Sequence, residues 1–597
     1  MSIIANTVSG LESTMAYTRR STLASAALIA AACSASAAEV EHALFTHGVA
    51  SGDPLTDRVV IWTRVSPRLA TGQVRVMWMV ASDPALTQIV KRGYFVTNAA
   101  RDYCVKVDVT RLRPGQTYYY GFKVGGQASP IGRTLTAPAQ GGDSLKIALV
   151  SCSNHPAGWF NVYQAIARRG DVDLVLHVGD YLYEYGVGEY GTEWGKTVGR
   201  VPNPTHECLS LSDYRLRHAQ YRTDPDLQAA HACAPWLVTW DDHETSNDAY
   251  KDGAQNNSPA TEGPWNVRKA AALQAYYEWL PLRDPAPGKA FEAINRSFEW
   301  GSLATIAMLE TRLLARSRQL NYAKDIDGAA FDISSGSPVK ITDAARLATL
   351  SATSLPATVR MLPDLDGFKT DKLNASDREL LGQTQQDWLA RVLMQSVQQG
   401  KKWQVLGNQV IMARVTSPDL SKGLPLRVRE AIGNARPETR AFFQLSQYDV
   451  PFNLDAWDGY PAARERLYEI AKSAGARLVV CTGDTHSAWA NTLKDGSGEI
   501  RGVEFGGTSV SSPSIADALS EFGLEGNVLN QLIVDKNDEV EWHDETKRGY
   551  TLVTLTPDGA RGDFMAVDTV RSKTFIVSTG SSWETPYNVA PTKLRAV

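Results

Sequence analysis

Short segments of alternating apolar and polar residues dominate the first quarter of the chain. They lie between residues 45 and 138, are separated by turn residues, and cover positions 59–63, 74–80, 105–109 and 118–124. Alternation with a period of two is typical of strands that bury one face. Short strands at regular spacing favour an antiparallel β-sandwich. We therefore predict such a module at the N-terminal end of the globular part.

One segment of this module has a more specific pattern. Residues 112–120 run from a Pro-Gly turn into three consecutive tyrosines, which is similar to the turn and aromatic strand of fibronectin-type domains. We expect an immunoglobulin-like β-sandwich over residues 39–140 with a structural role. Residues 140–143 are predicted to be a linker.

The hydrophobic pattern changes after this linker. Residues 145–150 and 174–178 are nearly continuous apolar runs, and a helix-like segment over 160–169 separates them, which indicates a β-α-β unit. Further buried strands are predicted at 237–240, 303–309, 403–406 and 476–481. Strands buried on both faces imply helices on both sides of a sheet. The pattern predicts an α/β (α+β sandwich) core of β-sheets flanked by helices.

The N-terminal residues have the architecture of a signal peptide. Arg19 and Arg20 precede an apolar run over 23–33 and small residues at 35–38. The arginine pair favours a twin-arginine signal over residues 1–38 and a periplasmic or secreted protein, with an ordinary secretory signal as the alternative. Ala30 to Cys33 loosely matches a lipoprotein cleavage box. No later apolar stretch reaches the roughly 18 to 20 residues of a membrane helix.

Charge and cysteine content add little about partners. The formal net charge is -4, from 61 basic and 65 acidic residues, which lacks the footprint of a nucleic-acid binder. We expect a monomer. Beyond Cys33 the chain has five cysteines, so one thiol stays unpaired. Cys208 and Cys233 flank a helix-like stretch and are the candidate disulfide, whereas Cys152 and Cys481 end apolar strands.

Potential metal ligands follow five of the predicted strands. These strand ends are residues 151–154, 179–184, 240–244, 407–409 and 483–486. In open α/β sheets, function concentrates beyond the carboxyl ends of the strands. A single aspartate there often caps a helix, but thiolate, phenolate, carboxylate and imidazole together supply soft and hard donors. The set indicates trivalent iron with an oxygen-preferring cation, and zinc or manganese is the alternative.

The motifs resemble those of calcineurin-like metallophosphoesterases, and more closely those of the PhoD family of alkaline phosphatases and phosphodiesterases. The closer resemblance rests on residues 45–54, on Tyr-Arg-Leu-Arg at 214–217 with Tyr221 and Arg222, on Thr-Trp-Asp-Asp-His-Glu at 239–244, and on Asp-Ala-Trp-Asp-Gly-Tyr at 455–460. It implies a PhoD N-terminal β-sandwich domain over 39–140 and a catalytic metallophosphoesterase domain over 145–580.

The resemblance also implies the ligands. Ferric iron (Fe³⁺) would be bound by Cys152, Asp180, Tyr183 and His486, with Asp180 bridging to a second ion. Calcium (Ca²⁺) would be bound by Asp484 together with a ligand from the third motif. That ligand is either Asp242 or Asn247, and the sequence leaves the two open.

The resemblance implies hydrolysis by water activated at the metals. The sequence has neither a Gly-x-Ser-x-Gly nucleophile motif nor a Walker-type phosphate loop. Asp180 and His243 are the expected catalytic residues, His243 acting from outside the coordination sphere. Arg217, with Arg215 and Arg222, is the candidate for gripping phosphate oxygens.

Two other functions are considered besides hydrolysis of phosphate monoesters or diesters. A phospholipase D would show apolar residues around its pocket, and a non-catalytic cell-surface binding protein would carry a vestigial metal site. The loop-rich stretch over residues 321–376 is either a cap over the pocket or a passive insertion.

Overall fold

The computed structural model describes residues 44–67, 72–351, 354–433, 437–520, 525–588 and 590–597. The predicted signal peptide over residues 1–38 lies outside these ranges and stays a prediction. Within the described ranges, no helix has the length and apolar character needed to cross a membrane.

Strands form at all the alternating segments of the N-terminal part. They are β1 (Val49–Gly52), β2 (Arg58–Arg64), β3 (Val74–Ala81), β4 (Ile89–Thr97), β5 (Cys104–Thr110), β6 (Thr117–Val124), β7 (Gln127–Ala128) and β8 (Gly132–Leu135). β3, β4, β6, β7 and β8 form one antiparallel sheet. Its apolar face packs on β1, β2 and β5 through side chains such as Val80, Tyr120 and Ile61.

The remaining strands include every buried strand that the sequence predicts. They are β9 (Leu145–Val150), β10 (Leu174–His177), β11 (Trp236–Val238), β12 (Arg296–Trp300), β13 (Ala304–Met308), β14 (Gly328–Asp332), β15 (Val339–Lys340), β16 (Val359–Pro363), β17 (Trp403–Gly407), β18 (Leu478–Thr482), β19 (Ala488–Lys494), β20 (Ile500–Gly506), β21 (Val540–Asp544), β22 (Arg548–Leu555), β23 (Gly559–Val567), β24 (Val577–Pro586) and β25 (Arg595–Ala596).

The helices connect these strands and cover the sheets. They are α1 (Asn161–Arg169), α2 (Glu193–Val198), α3 (Leu211–Arg222), α4 (Pro225–Cys233), α5 (Pro259–Glu262), α6 (Trp265–Trp279), α7 (Ala344–Ala348), α8 (Leu365–Gly367), α9 (Gly382–Gln398), α10 (Leu420–Gly423), α11 (Leu426–Gly433), α12 (Pro437–Leu445), α13 (Pro461–Ala474), α14 (Ile515–Ser520) and α15 (Gly526–Lys536).

Two large mixed sheets form the centre of the molecule. The ten-stranded sheet has the order β25-β24-β23-β22-β9-β10-β11-β1-β2-β5, and the seven-stranded sheet has the order β12-β13-β17-β18-β20-β19-β21. β9, β10 and β11 run parallel to one another, and so do β13, β17, β18 and β20. The carboxyl ends of several parallel strands in each sheet are therefore available to position ligands.

The two sheets face each other across a shared apolar core. Leu149 of β9 and Val479 of β18 belong to this inner core, whereas the neighbouring Val150 and Val480 lie in two outer cores. Successive side chains of a strand point to opposite faces. Helices such as α1 and α9 pack on the outer faces. These strands are therefore continuously apolar in sequence, because one face packs on helices and the other face packs on the second sheet.

The N-terminal strands do not form a separate body. β1 pairs in parallel with β11 at Gly52 and Trp236, so β1, β2 and β5 continue the ten-stranded sheet of the core. Alternation specifies which face of a strand is buried, but it does not specify which edge the strand joins. The immunoglobulin-like topology and the boundary near residue 140 stay predictions.

The stretch over residues 321–376 contains more regular structure than its sequence indicates. β15, β14 and β16 form a small antiparallel sheet, and α7 and α8 lie within the same stretch.

The expected disulfide between Cys208 and Cys233 is not present. Both side chains are free thiols, as are those of the other cysteines in the described part of the chain. Cys208 is fully buried beside Tyr214 and Ala272, and the Cys233 thiol donates to the carbonyl oxygen of Ala230. Flanking a helix-like stretch was therefore not sufficient to bring the two thiols together.

Candidate metal centre

Four predicted ligands and His243 come together where β9, β10, β11 and β18 end. Potential ligand atoms of Cys152, Asp180 and His486 lie within 4.8 Å of one another, and so do those of Asp180, Asp242 and His243. Asp180 belongs to both groups. The fold therefore places a thiol, an imidazole and carboxylates at one edge, with Asp180 between two sets of donors.

The backbone at four of these residues adopts a conformation that non-glycine residues rarely use. The φ angles are 60° at Cys152, 55° at Asp180, 68° at Asp484 and 61° at His486. This left-handed backbone conformation costs free energy for any residue other than glycine, and residues that adopt it cluster at functional sites. Each lies just beyond a strand, so the strain accompanies the turn that presents the side chain.

The Tyr183 hydroxyl lies between Asp180 and His486, the two residues grouped with Cys152. The hydroxyl donates to Asp180 Oδ2 at 3.0 Å and lies 2.9 Å from His486 Nε2. Ser512 donates to the same hydroxyl at 2.8 Å. Because the Tyr183 oxygen reaches both neighbours, it is placed to join them as a fourth donor.

His486 is held in the tautomer that binds metals through Nε2. Its Nδ1 lies 2.7 Å from the carbonyl oxygen of Pro513, an atom that can only accept. Burial lowers the pKa of His486 to about 3, so the ring is neutral. The proton therefore resides on Nδ1, and Nε2 directs a lone pair toward Tyr183 and the other donors.

The contacts separate the two alternatives for the third-motif ligand. Both polar atoms of the Asn247 amide have partners, since its oxygen accepts from Tyr185 at 3.1 Å and its nitrogen donates to Gln255 at 2.7 Å. Asp242 accepts from the backbone N–H of Asp248 with Oδ2 at 2.6 Å, but its buried Oδ1 has no partner. The geometry favours Asp242.

Unpartnered oxygens and shifted pKa values fit a cation at this place. Asp180 Oδ1, like Asp242 Oδ1, is buried without a hydrogen-bond partner. Burial and neighbouring carboxylates raise the pKa values of Asp180 and Asp484 well above their usual range, and burial likewise raises those of Cys152 and Tyr183. A bound cation stabilises the deprotonated form of all four groups. The donor set thus fits metal ions.

A buried arginine beneath the carboxylates was not identified from the sequence. Arg312 is fully buried; it donates to Asp241 through Nε and to Asp455 through Nη1 at 2.8 Å. Its Nη2 lies 3.7 Å from Asp484 Oδ1 and 4.0 Å from Asp242 Oδ1. Arg312 lies four residues after β13, so the strand-end rule contained a signal for it. The guanidinium offsets part of the negative charge of the centre.

Glu244, the last residue of the third motif, ties two loops together. Its carboxylate accepts the backbone N–H groups of Asp180 at 3.1 Å, Tyr181 at 2.6 Å and Asp241 at 2.9 Å. At Gly179, where φ is 123°, an added Cβ would lie 2.3 Å from Cβ of Asp241. The loops after β10 and β11 can therefore approach this closely only with glycine at 179.

His243 is oriented by a second buried glutamate. Its Nδ1 lies 2.8 Å from Glu184, which also accepts from the backbone N–H of Asn247 at 2.7 Å. Burial alone would lower the pKa of His243, but the carboxylates of Asp242, Glu184 and Asp180 hold it well above its usual value. The imidazolium form is therefore favoured in this arrangement of the residues.

The three arginines expected to contact phosphate instead contact other parts of the protein. Arg217 is buried and donates to the backbone carbonyls of Tyr183, Asn203 and Pro204 with all three guanidinium nitrogens. Arg215 pairs with Glu278 at 2.7 Å, and Arg222 lies over the Trp62 ring. The assignment of Arg217 as a phosphate-gripping residue is therefore corrected, because it supports the loop that carries Tyr183. Burial of this kind depends on tertiary contacts that the motif does not show.

Comparison with known proteins covers nearly the whole chain. Residues 147–564 match the family model of the PhoD-like phosphatases, and residues 30–138 match that of the PhoD-like phosphatase N-terminal domain. Alkaline phosphatase D from Bacillus subtilis (strain 168) is 33% identical over 569 residues, which cover 93% of this chain and 82% of the relative. The solved structure of PhoD superposes with a TM-score of 0.70 at 32% identity, over 93% of this chain and 92% of that one.

A family match over this length, together with a relative at this identity, fixes the class of reaction. The chain belongs to the PhoD-like phosphatase family and is a phosphoric ester hydrolase.

Proposed function

We propose that the protein is an exported, metal-dependent hydrolase of phosphate monoesters and diesters, with a two-metal centre. Cys152, Asp180, Tyr183 and His486 would hold one ion, and Asp180, Asp242 and Asp484 the other. The observation that carries the proposal is that Asp180 belongs to both groups of closely spaced donors, with Cys152 and His486 in one and with Asp242 and His243 in the other.

The donor types support the identities of the ions. Thiolate, phenolate and imidazole suit a transition metal, for which we propose Fe³⁺, while a carboxylate set suits Ca²⁺. Zinc or manganese would also accept these donors. Export through the predicted twin-arginine signal, a periplasmic or secreted location and a monomeric state belong to the same proposal.

The reaction combines metal chemistry with proton control by the protein. Bound ions of this kind lower the pKa of water and neutralise charge on phosphoryl oxygens. Among the protein's own groups, Asp180 and Asp484 would hold the ions that face the reacting phosphate. His243, whose Nδ1 faces Glu184, keeps Nε2 to donate a proton or hydrogen bond to an ester oxygen. Glu244 and Arg217 hold the loops in position.

Tyr183→Phe is expected to remove the visible colour of the purified protein. A phenolate bound to Fe³⁺ absorbs visible light, and phenylalanine supplies no oxygen to the ion. The measurement is the visible spectrum together with the iron content. Tyr190→Phe is the matched control, because the Tyr190 hydroxyl lies 3.0 Å from Nδ1, the other ring nitrogen of His486. This variant should keep the absorption band. A colourless but active wild-type protein would contradict ligation by a ferric phenolate.

Glu184→Gln is expected to lower kcat/KM by roughly 10- to 100-fold, the usual cost of losing a partner that orients a catalytic or ligating histidine. Glu184 raises the pKa of His243, so His243 should lose its proton at a lower pH in the variant. The alkaline limb of the pH profile should therefore shift to lower pH than in the wild type. The pH profile of kcat/KM measures both effects. Glu193→Gln, on the exposed face of α2, is the control; an unchanged profile in Glu184→Gln would exclude the proton-donor role of His243.

Metal analysis with three substrates tests the proposal as a whole. The protein should contain both metals and hydrolyse a monoester and a diester, and a chelator should abolish both activities. Preference for a phospholipid would instead establish the phospholipase D alternative. Absence of metal and of all three activities would refute the metal-dependent reading. A purely non-catalytic binding role is not supported, because the family relationship and the intact donor set both indicate an enzyme.

A further inference from the structure

An apolar cavity of about 200 Å³ lies beside the candidate metal centre. Its walls come from residues 319–322, from α10, α11 and α12, and from the loop at 452–455. The polar residues Asp248, Asn453 and Asp455 line one end. Leucine, isoleucine and aromatic side chains line most of the rest, together with the polar residues Gln255, Gln319, Asn321 and Thr439.

The polar end of the cavity contacts the candidate ligands directly. Asn453 Nδ2 lies 3.5 Å from Asp484 Oδ2, and the backbone N–H of Asp248 donates to Asp242 at 2.6 Å. Asp455 pairs with Arg312 beneath the centre. A phosphate at the metals would therefore have the cavity on one side, within reach of its ester substituent.

Three of the four aromatic side chains that line the cavity contact one another. Phe442 stacks on Tyr322 with centroids 6.0 Å apart, and it meets Phe452 edge to face at 5.9 Å. The hydroxyl of Tyr322 donates to the carbonyl oxygen of Pro451 at 2.6 Å. Its polar atom is thus satisfied within the protein, and the ring is left to contact an apolar group. Rings arranged in this way favour another aromatic ring in offset or edge-to-face contact.

We propose that this cavity is the leaving-group subsite and that it takes the aromatic alcohol of an aryl phosphate ester. The inference rests on the proposed function. During hydrolysis, the oxygen of water forms the new bond to phosphorus, the bond between phosphorus and the aryl oxygen breaks, and the aryl alcohol departs with a proton. Phosphate retains the oxygen from water, and nothing is oxidised or reduced.

The size of the cavity supports a single ring. An engineered apolar cavity of about 150 Å³ binds benzene, so a cavity of about 200 Å³ is large enough for one ring. A benzene ring with one substituent fits this space, whereas two long acyl chains need several times as much. Pockets that are mainly apolar with a few polar groups at one end are typical of small-molecule sites.

The test compares phenyl phosphate with glycerol 2-phosphate in the metal-loaded, full-length protein. Phe442→Ala removes the central ring, and Thr439→Trp fills the cavity from the half-buried wall position of Thr439. In each variant the ratio of kcat/KM for the two esters should fall about tenfold in favour of glycerol 2-phosphate, equivalent to about 1.4 kcal/mol. The change in ratio cancels the greater intrinsic reactivity of the aryl ester. Leu426→Ala, at a 62% exposed position on α11, should leave the ratio unchanged.

Binding of unreactive analogues gives a second readout. Phenylphosphonate should raise the Tm of the wild-type protein more than methylphosphonate does, and both cavity variants should lose this difference. An unchanged substrate ratio in both variants, equal protection by the two phosphonates, or faster hydrolysis of a vesicle phospholipid than of phenyl phosphate would overturn the proposal. If neither ester is hydrolysed, the proposed function fails, and the phosphonate comparison still decides whether the cavity binds a ring.

Discussion

Asp180→Asn is expected to lower kcat/KM for phosphate esters by about 10³-fold or more. Asp180 is the one residue that both ligand groups contain. Replacing one carboxylate oxygen with an amide group weakens the binding of two ions together. Metal ions contribute several kcal/mol to transition-state stabilisation, and each loss of about 1.4 kcal/mol lowers the rate tenfold.

Steady-state kinetics and metal analysis of the same samples measure this effect. Both the iron and the calcium content should fall in Asp180→Asn. Asp366→Asn is the matched control, because Asp366 is exposed in α8 and the same chemical change should leave rate and metal content unaltered. Full activity in Asp180→Asn would show that the two ions do not share this ligand.

Arg312→Leu is expected to lower the free energy of unfolding by about 3 to 5 kcal/mol, the usual result of removing one partner of a buried ion pair. Arg312 is fully buried and contacts Asp241 and Asp455, which are themselves buried. Leucine fills part of the volume, but it leaves Asp241 without its cation and Asp455 with only Arg316. Arg312 also holds the pKa of Asp455 below its ordinary value against the effect of burial.

Denaturant unfolding at equal metal loading measures the loss. Arg318→Ala is the control, because Arg318 pairs with Asp325 at 2.7 Å but its side chain is 52% exposed. Pairs at the surface contribute about 1 kcal/mol or less. Equal effects of the two substitutions would show that Arg312 does not compensate the buried carboxylates.

The strands that carry the site were predictable because their pattern is strong. β9, β13, β17 and β18 formed at continuous apolar runs within two residues of the predicted limits. The strands from β19 to β25 were missed. Apart from the parallel pairing of β20 with β18 they pair antiparallel, and some are half exposed, so their sequences lack a continuous apolar run. The sequence also could not show that the two sheets pack face to face, since the apolar face of a strand does not identify what covers it.

The candidate site shows the same division between local and tertiary information. The motifs supplied Cys152, Asp180, Asp484 and His486, because each directly follows a strand. Asp242 and Asn247 lie in one loop, and only the hydrogen bonds of Asn247 distinguish them. For a related reason, the sequence pointed to Arg217 as a site residue and did not identify Arg312. Whether a guanidinium faces backbone carbonyls or carboxylates depends on chain segments far away in sequence.

The candidate centre lies where two sheets meet, and this position would let bound ions cross-link them. Cys152, Asp180 and Asp242 follow strands of the ten-stranded sheet, whereas Asp484 and His486 follow β18 of the seven-stranded sheet. An ion bound by both sets is a cross-link between halves of the chain that are hundreds of residues apart. Ligands that bind only the folded state stabilise it by about 2.7 kcal/mol at one hundred times Kd. The stability of the folded molecule would then depend on the surrounding supply of metal.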